Sequence, residues 1–345
     1  MLLGTLDFEH RALASAGAEA TGRSLHFERV IAESGLEDWQ VKDYEAMRDD
    51  APRTSRFEAA IQRRLAGTSG EAVVVDIGTG PFALLAVMAA RAGARKVYAI
   101  ERSARAAAMA RDVVMKHGLE SRIQVIEGDS TKTQLPERAD LVVSELIGSI
   151  ATQEGVEPII RDARERFLKP DVRCNGMIPA RCQTCIVPIF YRGRSVWARL
   201  TSPKDGLRSR GRPQPGTSSP LRVKAADEDT LAFLSEPQFL EDFDYCDSSS
   251  GRSFTDKREL TFDMSKTSAD TPSLFSGFAM WTRVVVDGKD VIEVRGQPDS
   301  HWAYVVTLMS QQPVRVANPG QIRLSCCTDY SSDPVRYTFE ADIAV

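Results

Sequence analysis

Val73-Val74-Val75-Asp76-Ile77 runs without a break into Gly78-Thr79-Gly80-Pro81-Phe82-Ala83, and few chain conformations suit both halves of that segment. Four β-branched residues around a single acid read as a strand buried on both faces, the kind found in the middle of a parallel sheet. Gly78 and Gly80 allow a positive φ and close backbone approach to a ligand. Ala83 supplies the third small position of a G-x-G-x-x-G/A turn that opens a helix. Such a turn fits a nucleotide-type cofactor, although small residues at a strand end also mark ordinary tight turns. The next strand sharpens the choice. Lys96-Val97-Tyr98-Ala99-Ile100 ends in Glu101, at the spacing where an acid after the second strand of a βαβ unit takes ribose hydroxyls.

Two more strands follow. Ser103 is placed to cap a helix over 103–116, a third strand over 123–126 ends in Glu127-Gly128-Asp129, and a fourth over 140–143 ends in Ser144-Glu145. In an open α/β sheet, ligands lie outside the carboxyl ends of the strands, so Asp76, Glu101, Asp129 and Glu145 would all face one crevice. One acid at a strand end is an ordinary solvated turn residue; four at successive strand ends describe a ligand site. Asp76 before the glycines and Glu101 after the second strand suit a ligand that is cationic and carries a free ribose. S-adenosylmethionine is such a ligand, and a dinucleotide with its anionic pyrophosphate is not.

Ser144-Glu145-Leu146-Ile147-Gly148-Ser149-Ile150-Ala151-Thr152-Gln153-Glu154 sets two glutamates nine positions apart. That spacing leaves helical residues half a turn out of phase and strand residues on opposite faces, so neither regular element converges the carboxylates. A folded-back loop does, and Gly148 permits one. Two converging carboxylates repel unless a cation lies between them, and the planar guanidinium with its five donors matches such a pair best.

At this segment the chain resembles the protein arginine N-methyltransferases, and the resemblance runs from about Asp43 to the last residue. Residues 144–154 are similar to the family's double-glutamate loop. Tyr44-Glu45-Ala46-Met47-Arg48-Asp49-Asp50-Ala51-Pro52-Arg53-Thr54 is similar to the family's N-terminal helix, which closes over S-adenosylmethionine. The resemblance implies Arg53 on the cofactor's carboxylate and Tyr44 and Met47 beside it, with Asp76, Gly78, Gly80, Glu101, Asp129 and Ser130 completing the cofactor site. Ser300-His301-Trp302 resembles the Thr-His-Trp loop, whose histidine pairs with an acid of the lid helix, which makes His301 and Asp50 partners. Phe167-Leu168-Lys169-Pro170 and Met177-Ile178-Pro179 resemble the family's passage into its second half.

The fold so implied is an α/β Rossmann-type methyltransferase domain followed by an all-β, barrel-like domain. Its expected divisions are an N-terminal extension over 1–42, a Rossmann domain with its lid over 43–178, and a β-barrel substrate domain over 179–345. The activity so implied is S-adenosylmethionine-dependent methylation of arginine in a protein or peptide, carried out by a homodimer. Glu145 and Glu154 would grip the guanidinium, and one of them, or His301 with Asp50, would accept its proton. A small-molecule N-methyltransferase and a catalytically silent scaffold of the same fold are the alternatives, and the presence of both glutamates argues against the second.

The chain also departs from the family. His26-Phe27-Glu28-Arg29 and Trp39-Gln40-Val41-Lys42-Asp43-Tyr44 stand where many members carry a Tyr-Phe-x-x-Tyr motif, and Ala83 stands where a third glycine is usual. The wording of 144–149 and Tyr44-Glu45 resembles the symmetric-dimethylating class, which has Phe at the position of Met47, whereas His301-Trp302 resembles the asymmetric class.

Beyond Pro179 the alternation of helix and strand gives way to β-type runs at 187–191, 260–264, 275–286, 291–294, 304–308, 322–326 and 335–339, split by Gly, Pro, Asn and Asp. Residues 192–217 form a Gly/Pro/Ser-rich insertion with seven cations against the single acid Asp205, which reads as a loop. In the N-terminal extension a helix is expected over 28–34. No apolar run approaches the length of a membrane span, and acids and a histidine within the first ten residues do not suit a signal peptide. The chain therefore reads as intracellular, cytoplasmic or nuclear. Six cysteines in 345 residues suit reduced thiols. Cys182-x-x-Cys185 has no second pair at ligand spacing, so no metal is expected. The net charge of −4 argues against a general nucleic-acid binder and favours basic, arginine-rich substrates.

Overall fold

The computed structural model describes residues 24–32, 41–172, 175–193, 220–247, 255–264, 273–310, 312–317, 320–332 and 335–345. After strand β1 (Ser24–Ala32), helices α1 (Val41–Asp49) and α2 (Ala51–Leu65) meet at Asp50. The α2 sequence buries Phe57, Ala60, Ile61 and Leu65, an i, i+3, i+4, i+8 stripe that fixes one face to the core. The α/β layer then follows, helices alternating with strands except between β4 and β5: β2 (Val73–Ile77), α3 (Leu84–Arg91), β3 (Lys96–Glu101), α4 (Ala104–Lys116), β4 (Ile123–Glu127), β5 (Leu141–Ser144), α5 (Val156–Arg166) and β6 (Met177–Ile178). These strands form one parallel sheet in the order β4-β3-β2-β5-β6. All five β2 residues are buried, as a central strand covered on both faces requires. The strand order turns back between β2 and β5, so a crevice opens between their carboxyl ends. Ser103 caps α4 as expected, its hydroxyl accepting from Ala106 N at 3.3 Å.

The second half holds β7 (Arg181–Tyr191), β8 (Leu221–Lys224), β9 (Leu231–Phe233), β10 (Gln238–Asp244), β11 (Thr255–Asp263), β12 (Leu274–Phe275), β13 (Gly277–Val285), β14 (Val291–Glu293), β15 (Ala303–Leu308), β16 (Val314–Arg315), β17 (Gln321–Asp329) and β18 (Arg336–Ala344). One sheet runs β10-β7-β13-β15-β8, with β14 and β9 attached, and a second runs β1-β18-β17-β11. Phe278, Met280 and Val305 of the first pack with Phe262, Ile322, Leu324 and Phe339 of the second in one buried cluster. This is the packing of two antiparallel layers face to face. The barrel-like half expected from the resemblance is thus a pair of sheets that the described strands do not close. A second cluster runs from Val73–Val75 and Leu141–Val143 into Cys185, Trp281 and Tyr304, so the α/β layer and the first β sheet share a core.

One expectation is corrected. The helix expected over 28–34 is strand β1 as far as Ala32, paired with β18 along its whole length. Its register runs from Ser24 opposite Ala344 to Ala32 opposite Arg336, so the strand forms where β18 offers an edge. The described part of the N-terminal extension therefore belongs to the C-terminal half. The insertion at 192–217 lies outside the described residues from 194 onward, as do Trp39 and Gln40. Among the described residues no helix is long and apolar enough to cross a membrane, and no group of three or more His, Cys, Asp or Glu side chains is arranged to hold a metal ion. Cys182 and Cys185 are buried in β7; burial pushes the Cys185 thiol up to about 12, the opposite of what a metal-ligating thiolate needs.

Candidate active site

A cleft of about 430 Å³ opens outside the carboxyl ends of β2, β3, β4 and β5, at the point where the strand order reverses. Its floor is the glycine turn. Gly78 and Gly80 have φ of 72° and 64°. A Cβ at Gly78 would stand 2.4 Å from Leu146 Cδ2, and one at Gly80 would stand 3.2 Å from the Tyr44 ring, so the two glycines let the lid and the loop after β5 close onto the turn. Ala83 adopts the left-handed conformation at φ 46° and is the N-cap of α3 without a capping side chain.

Asp76 supplies that missing cap. It is 1% exposed, and its Oδ2 accepts from Ala86 N at 3.0 Å and from the Thr79 hydroxyl at 2.5 Å. Ala86 N is the open donor an N-cap side chain would satisfy. Burial raises the Asp76 carboxyl to about 7, with the two hydrogen bonds opposing. Asp76 thus holds the turn to the helix while it lines the cleft. Its Oδ1 is buried without a hydrogen-bond partner.

Glu101 differs in aim. Its Oε2 accepts from Gly80 N at 2.9 Å and its Oε1 from Ser103 N at 2.8 Å. Two backbone donors on either side lock the carboxylate at the cleft while leaving further lone pairs on both oxygens. Asp129 and Ser130 lie on the adjacent wall. The Asp129 Oδ1 accepts from Thr131 Oγ1 at 2.7 Å and from Thr131 N at 2.9 Å, and Lys132 Nζ stands 3.3 Å from its Oδ2. These contacts, the Thr131 hydroxyl foremost, hold the Asp129 carboxyl below its ordinary value.

The lid is the α1–α2 pair. Tyr44 and Met47 on α1 line the cleft; burial, with Glu101 and Glu154 nearby, pushes the Tyr44 phenol up to about 12. At the bend, Asp50 caps α2 through Oδ1, which accepts from Arg53 N at 3.0 Å. Its Oδ2 accepts from His301 N at 3.0 Å and lies 2.8 Å from His301 Nδ1. Burial alone would raise the Asp50 carboxyl, but the hydrogen bonds from His301 and Arg53 outweigh it and hold the group below its ordinary value. One carboxylate thus sets the start of a lid helix and joins it to a loop 251 positions away.

Arg53 stands on the double-glutamate loop. Its Nε donates to Glu145 Oε2 at 3.0 Å, Nη2 donates to the same oxygen, and Nη1 donates to the Met47 carbonyl at 3.1 Å. The side chains are 6% and 4% exposed. The sequence assigned Arg53 to the cofactor and Glu145 to the substrate; the structure ties the two together. Ile147 N donates to Glu145 Oε1 at 3.0 Å, and Trp302 Nε1 donates to the Ile147 carbonyl at 2.8 Å. The loop then folds back at Gly148, where a Cβ would meet Ile150 O at 3.0 Å and Gln153 Oε1 at 3.1 Å. Glu154 returns to the same cleft as Glu145. Burial pushes the Glu154 carboxyl up to about 7; the charge of Glu145 adds to the rise and that of Arg222 opposes it.

Sequence reasoning missed the side chains that hold this loop. Ser149 Oγ accepts from Arg222 Nη1 at 3.1 Å and from Ala303 N at 3.4 Å. Ala151 N donates to Thr184 Oγ1 at 2.9 Å, and the Thr152 hydroxyl donates to Glu241. Glu241 sits in the run Glu241-Asp242-Phe243-Asp244, which by sequence looks like a solvated edge; no local signal distinguishes its buried acid from the others.

A family model described as PRMT5 arginine-N-methyltransferase matches residues 36–174, the span that holds the lid, the glycine turn and both glutamates. The protein arginine N-methyltransferase PRMT10 of Oryza sativa subsp. japonica is 34% identical over 140 residues, which are 41% of this chain and 35% of that protein. Matches of this kind thus span about a third of the relative's length. Protein arginine N-methyltransferase 6 of Xenopus laevis is 28% identical over 286 residues, 79% of each chain. Among solved structures, the Trypanosoma brucei PRMT1 enzyme-prozyme heterotetrameric complex with AdoHcy superimposes with a TM-score of 0.63 at 22% identity, over 84% of this chain and 88% of that one. The Arabidopsis thaliana protein arginine methyltransferase 10 structure does so with a TM-score of 0.64 at 21% identity, over 86% and 96%. At those identities the two structures establish the fold.

Proposed function

We propose that this chain, whose relatives by motif, sequence and fold are the protein arginine N-methyltransferases, transfers a methyl group from S-adenosylmethionine to an arginine side chain of a protein or peptide. The observation that carries the proposal is the return of Glu145 and Glu154 to one cleft from a single folded-back loop, close enough for the charge of one to raise the other's carboxyl. Two acids held in that relation call for a cation between them, and a guanidinium offers parallel N–H donors to both.

The residues around the glycine turn fit the cofactor. Glu101, fixed by Gly80 N and Ser103 N, would accept the two ribose hydroxyls. Arg53 spends three of its five donors on Glu145 and Met47 O, which leaves two for a carboxylate. Tyr44 and Met47 would cover the ligand from the lid, and Asp129 and Ser130 would border it. When bound, S-adenosylmethionine supplies an electrophilic methyl group. Glu145 and Glu154 would hold the substrate guanidinium at near-attack distance, which is worth several powers of ten in rate. Anionic partners at two nitrogens draw positive charge toward them and leave the third more nucleophilic. Glu154, with its raised carboxyl, is the better placed of the two to take the departing proton. His301 with Asp50 would keep the lid and the β half in register. The same reading makes the protein an intracellular homodimer, which light scattering and cell fractionation would examine.

The test is methyl transfer to a Gly-Arg-rich peptide, with the product separated by mass spectrometry into monomethyl, symmetric and asymmetric forms. Glu145→Gln and Glu154→Gln should each keep cofactor affinity in isothermal titration while methyl transfer collapses, because the amide sets a donor against a substrate that has only donors. Near-wild-type turnover in either variant would overturn the assignment of both glutamates.

A further inference from the structure

The double-glutamate loop is gripped at its Glu145 end by Arg53, Ile147 N and Trp302. Its Glu154 end is gripped by a carboxylate that the proposed reaction does not use. Glu241 lies on β10 and is 1% exposed. The register of β10 against β7 shifts between Phe239 and Glu241, which sets Glu241 opposite Thr184; a bulge of this kind re-aims a side chain. Around the carboxylate, Thr152 Oγ1 donates to Oε1 and Thr184 Oγ1 to Oε2. Tyr330 OH donates to Oε1 at 3.4 Å, and Tyr337 OH stands 3.3 Å from the same oxygen and 2.9 Å from Thr152 Oγ1. Thr184 Oγ1 also accepts from Ala151 N at 2.9 Å.

Both threonine hydroxyls give their protons to the carboxylate oxygens. Each threonine oxygen is then left as an acceptor: Thr184 takes Ala151 N, and Thr152 takes Tyr337 OH. Ala151 and Thr152 stand three and two positions before Glu154, and through these bonds they are fixed to the β half by main chain and side chain at once. Burying a carboxylate is costly, and an apolar residue on β10 would pack against β7 at less expense of stability. What the apolar residue would not do is order the loop.

We propose that Glu241 is a positioning residue for methyl transfer, holding Ala151 and Thr152 so that the Glu154 carboxylate stands where the substrate guanidinium needs it. The inference rests on the arginine methyltransferase reading above. Its natural variant is Thr152→Val, which keeps the shape and removes the hydroxyl, paired with Thr152→Ser, which keeps the hydroxyl. Thr152→Val should leave the S-adenosylmethionine dissociation constant within about twofold, lower the melting temperature by a few degrees for the lost buried hydrogen bond, and lower kcat on an arginine peptide roughly tenfold to a hundredfold, the penalty expected when supporting contacts of a site are lost. Thr152→Ser should restore most of the rate. Glu241→Gln should lower kcat similarly, and Thr152→Val should cost little more in the Glu241→Gln background, as for two members of one network. Hydrogen exchange at the amides of 150–155 should accelerate in Thr152→Val and Glu241→Gln and stay slow in Thr152→Ser. Wild-type protein idle on arginine peptides would refute the functional reading, while the exchange result would still judge the anchor. Wild-type kcat or unchanged exchange in Thr152→Val would overturn the role of Glu241.

Discussion

Glu154→Gln should stabilise the protein more at alkaline than at acid pH while it abolishes methyl transfer. In the folded state the Glu154 carboxyl is raised from 4.5 to about 7, chiefly by burial and then by Glu145. The folded protein therefore keeps this proton to a higher pH than the unfolded chain does. Its contribution to stability is fully present below the unfolded value and is lost as pH rises through about 7. Applying the linkage relation between pH 5.5 and pH 8.5, the wild type should lose about 2 kcal/mol at this group, at about 1.36 kcal/mol per pH unit of divergence. Glutamine does not titrate. Asp76, also raised to about 7, is present in both proteins and cancels in the comparison. Melting curves of the two proteins at the two pH values give the test: the gap between them should widen at pH 8.5 by several degrees, since ~1 kcal/mol moves the midpoint of a domain this large by a few degrees. A gap of the same size at both pH values would mean that Glu154 ionises as an ordinary carboxyl, and the electrostatic account of the pair would fail. The same group predicts that kcat/KM for the peptide rises through about pH 7, and that binding of the cationic peptide near that pH releases a proton, visible as a buffer-dependent heat.

Glu101→Ala should weaken S-adenosylmethionine binding tenfold to a hundredfold, about what two hydrogen bonds to a charged group are worth, and an unchanged dissociation constant would remove Glu101 from the cofactor site. Arg53→Ala leaves the buried Glu145 carboxylate without its partner, so it should cost about 3–5 kcal/mol of stability as well as cofactor affinity; urea unfolding and isothermal titration would show both, and loss of neither would contradict the geometry. Asp50→Ala removes a helix cap, worth about 1 kcal/mol, together with both His301 hydrogen bonds. Because the Asp50 carboxyl is held below its ordinary value, its contribution is present above the unfolded value and is lost only as pH falls through the lowered one. The variant's melting temperature should therefore fall short of the wild type's at neutral pH, by an amount that shrinks as pH falls below the ordinary carboxyl range, and an unchanged melting temperature at neutral pH would contradict the capping role.

The α/β half could be read from the chain because its signals are local. A run of valines, a glycine turn and an acid after the next strand are each set by their neighbours in sequence, and the strands at β3 and β4 came within a residue of their observed ends. The β half was read less well for a physical reason. Strand β1 exists because β18 offers an edge more than 300 positions away, and β10 carries three acids in seven residues, one of them turned inward by a bulge that no pattern announces. At the site, the nine-residue spacing of the glutamates required a folded-back loop, and the resemblance supplied the partnership of Asp50 with His301. The bond from Arg53 to Glu145 was not foreseen, since the two residues were assigned to different ligands. The capping role of Asp76 was not foreseen, since Ala86 N is an open donor of the first turn of a helix whose N-cap, Ala83, has no side chain to fill it.

The division of labour between the halves follows from where the hydrogen bonds cross. Among the described residues, the groups that face the proposed cofactor, from Tyr44 to Ser130, come from the lid or the parallel sheet. The β half instead reaches the double-glutamate loop and the lid. Trp302 holds Ile147, Ala303 and Arg222 hold Ser149, Thr184 holds Ala151, Glu241 holds Thr152, and His301 holds Asp50. A loop that must keep two carboxylates close together against their repulsion needs such restraint, because the relaxed answer to that repulsion is to swing one acid away into water. The shared core beneath keeps these contacts in register. On the proposed reading, the second half would serve an acceptor arginine less by touching it than by denying the glutamates any other place to go.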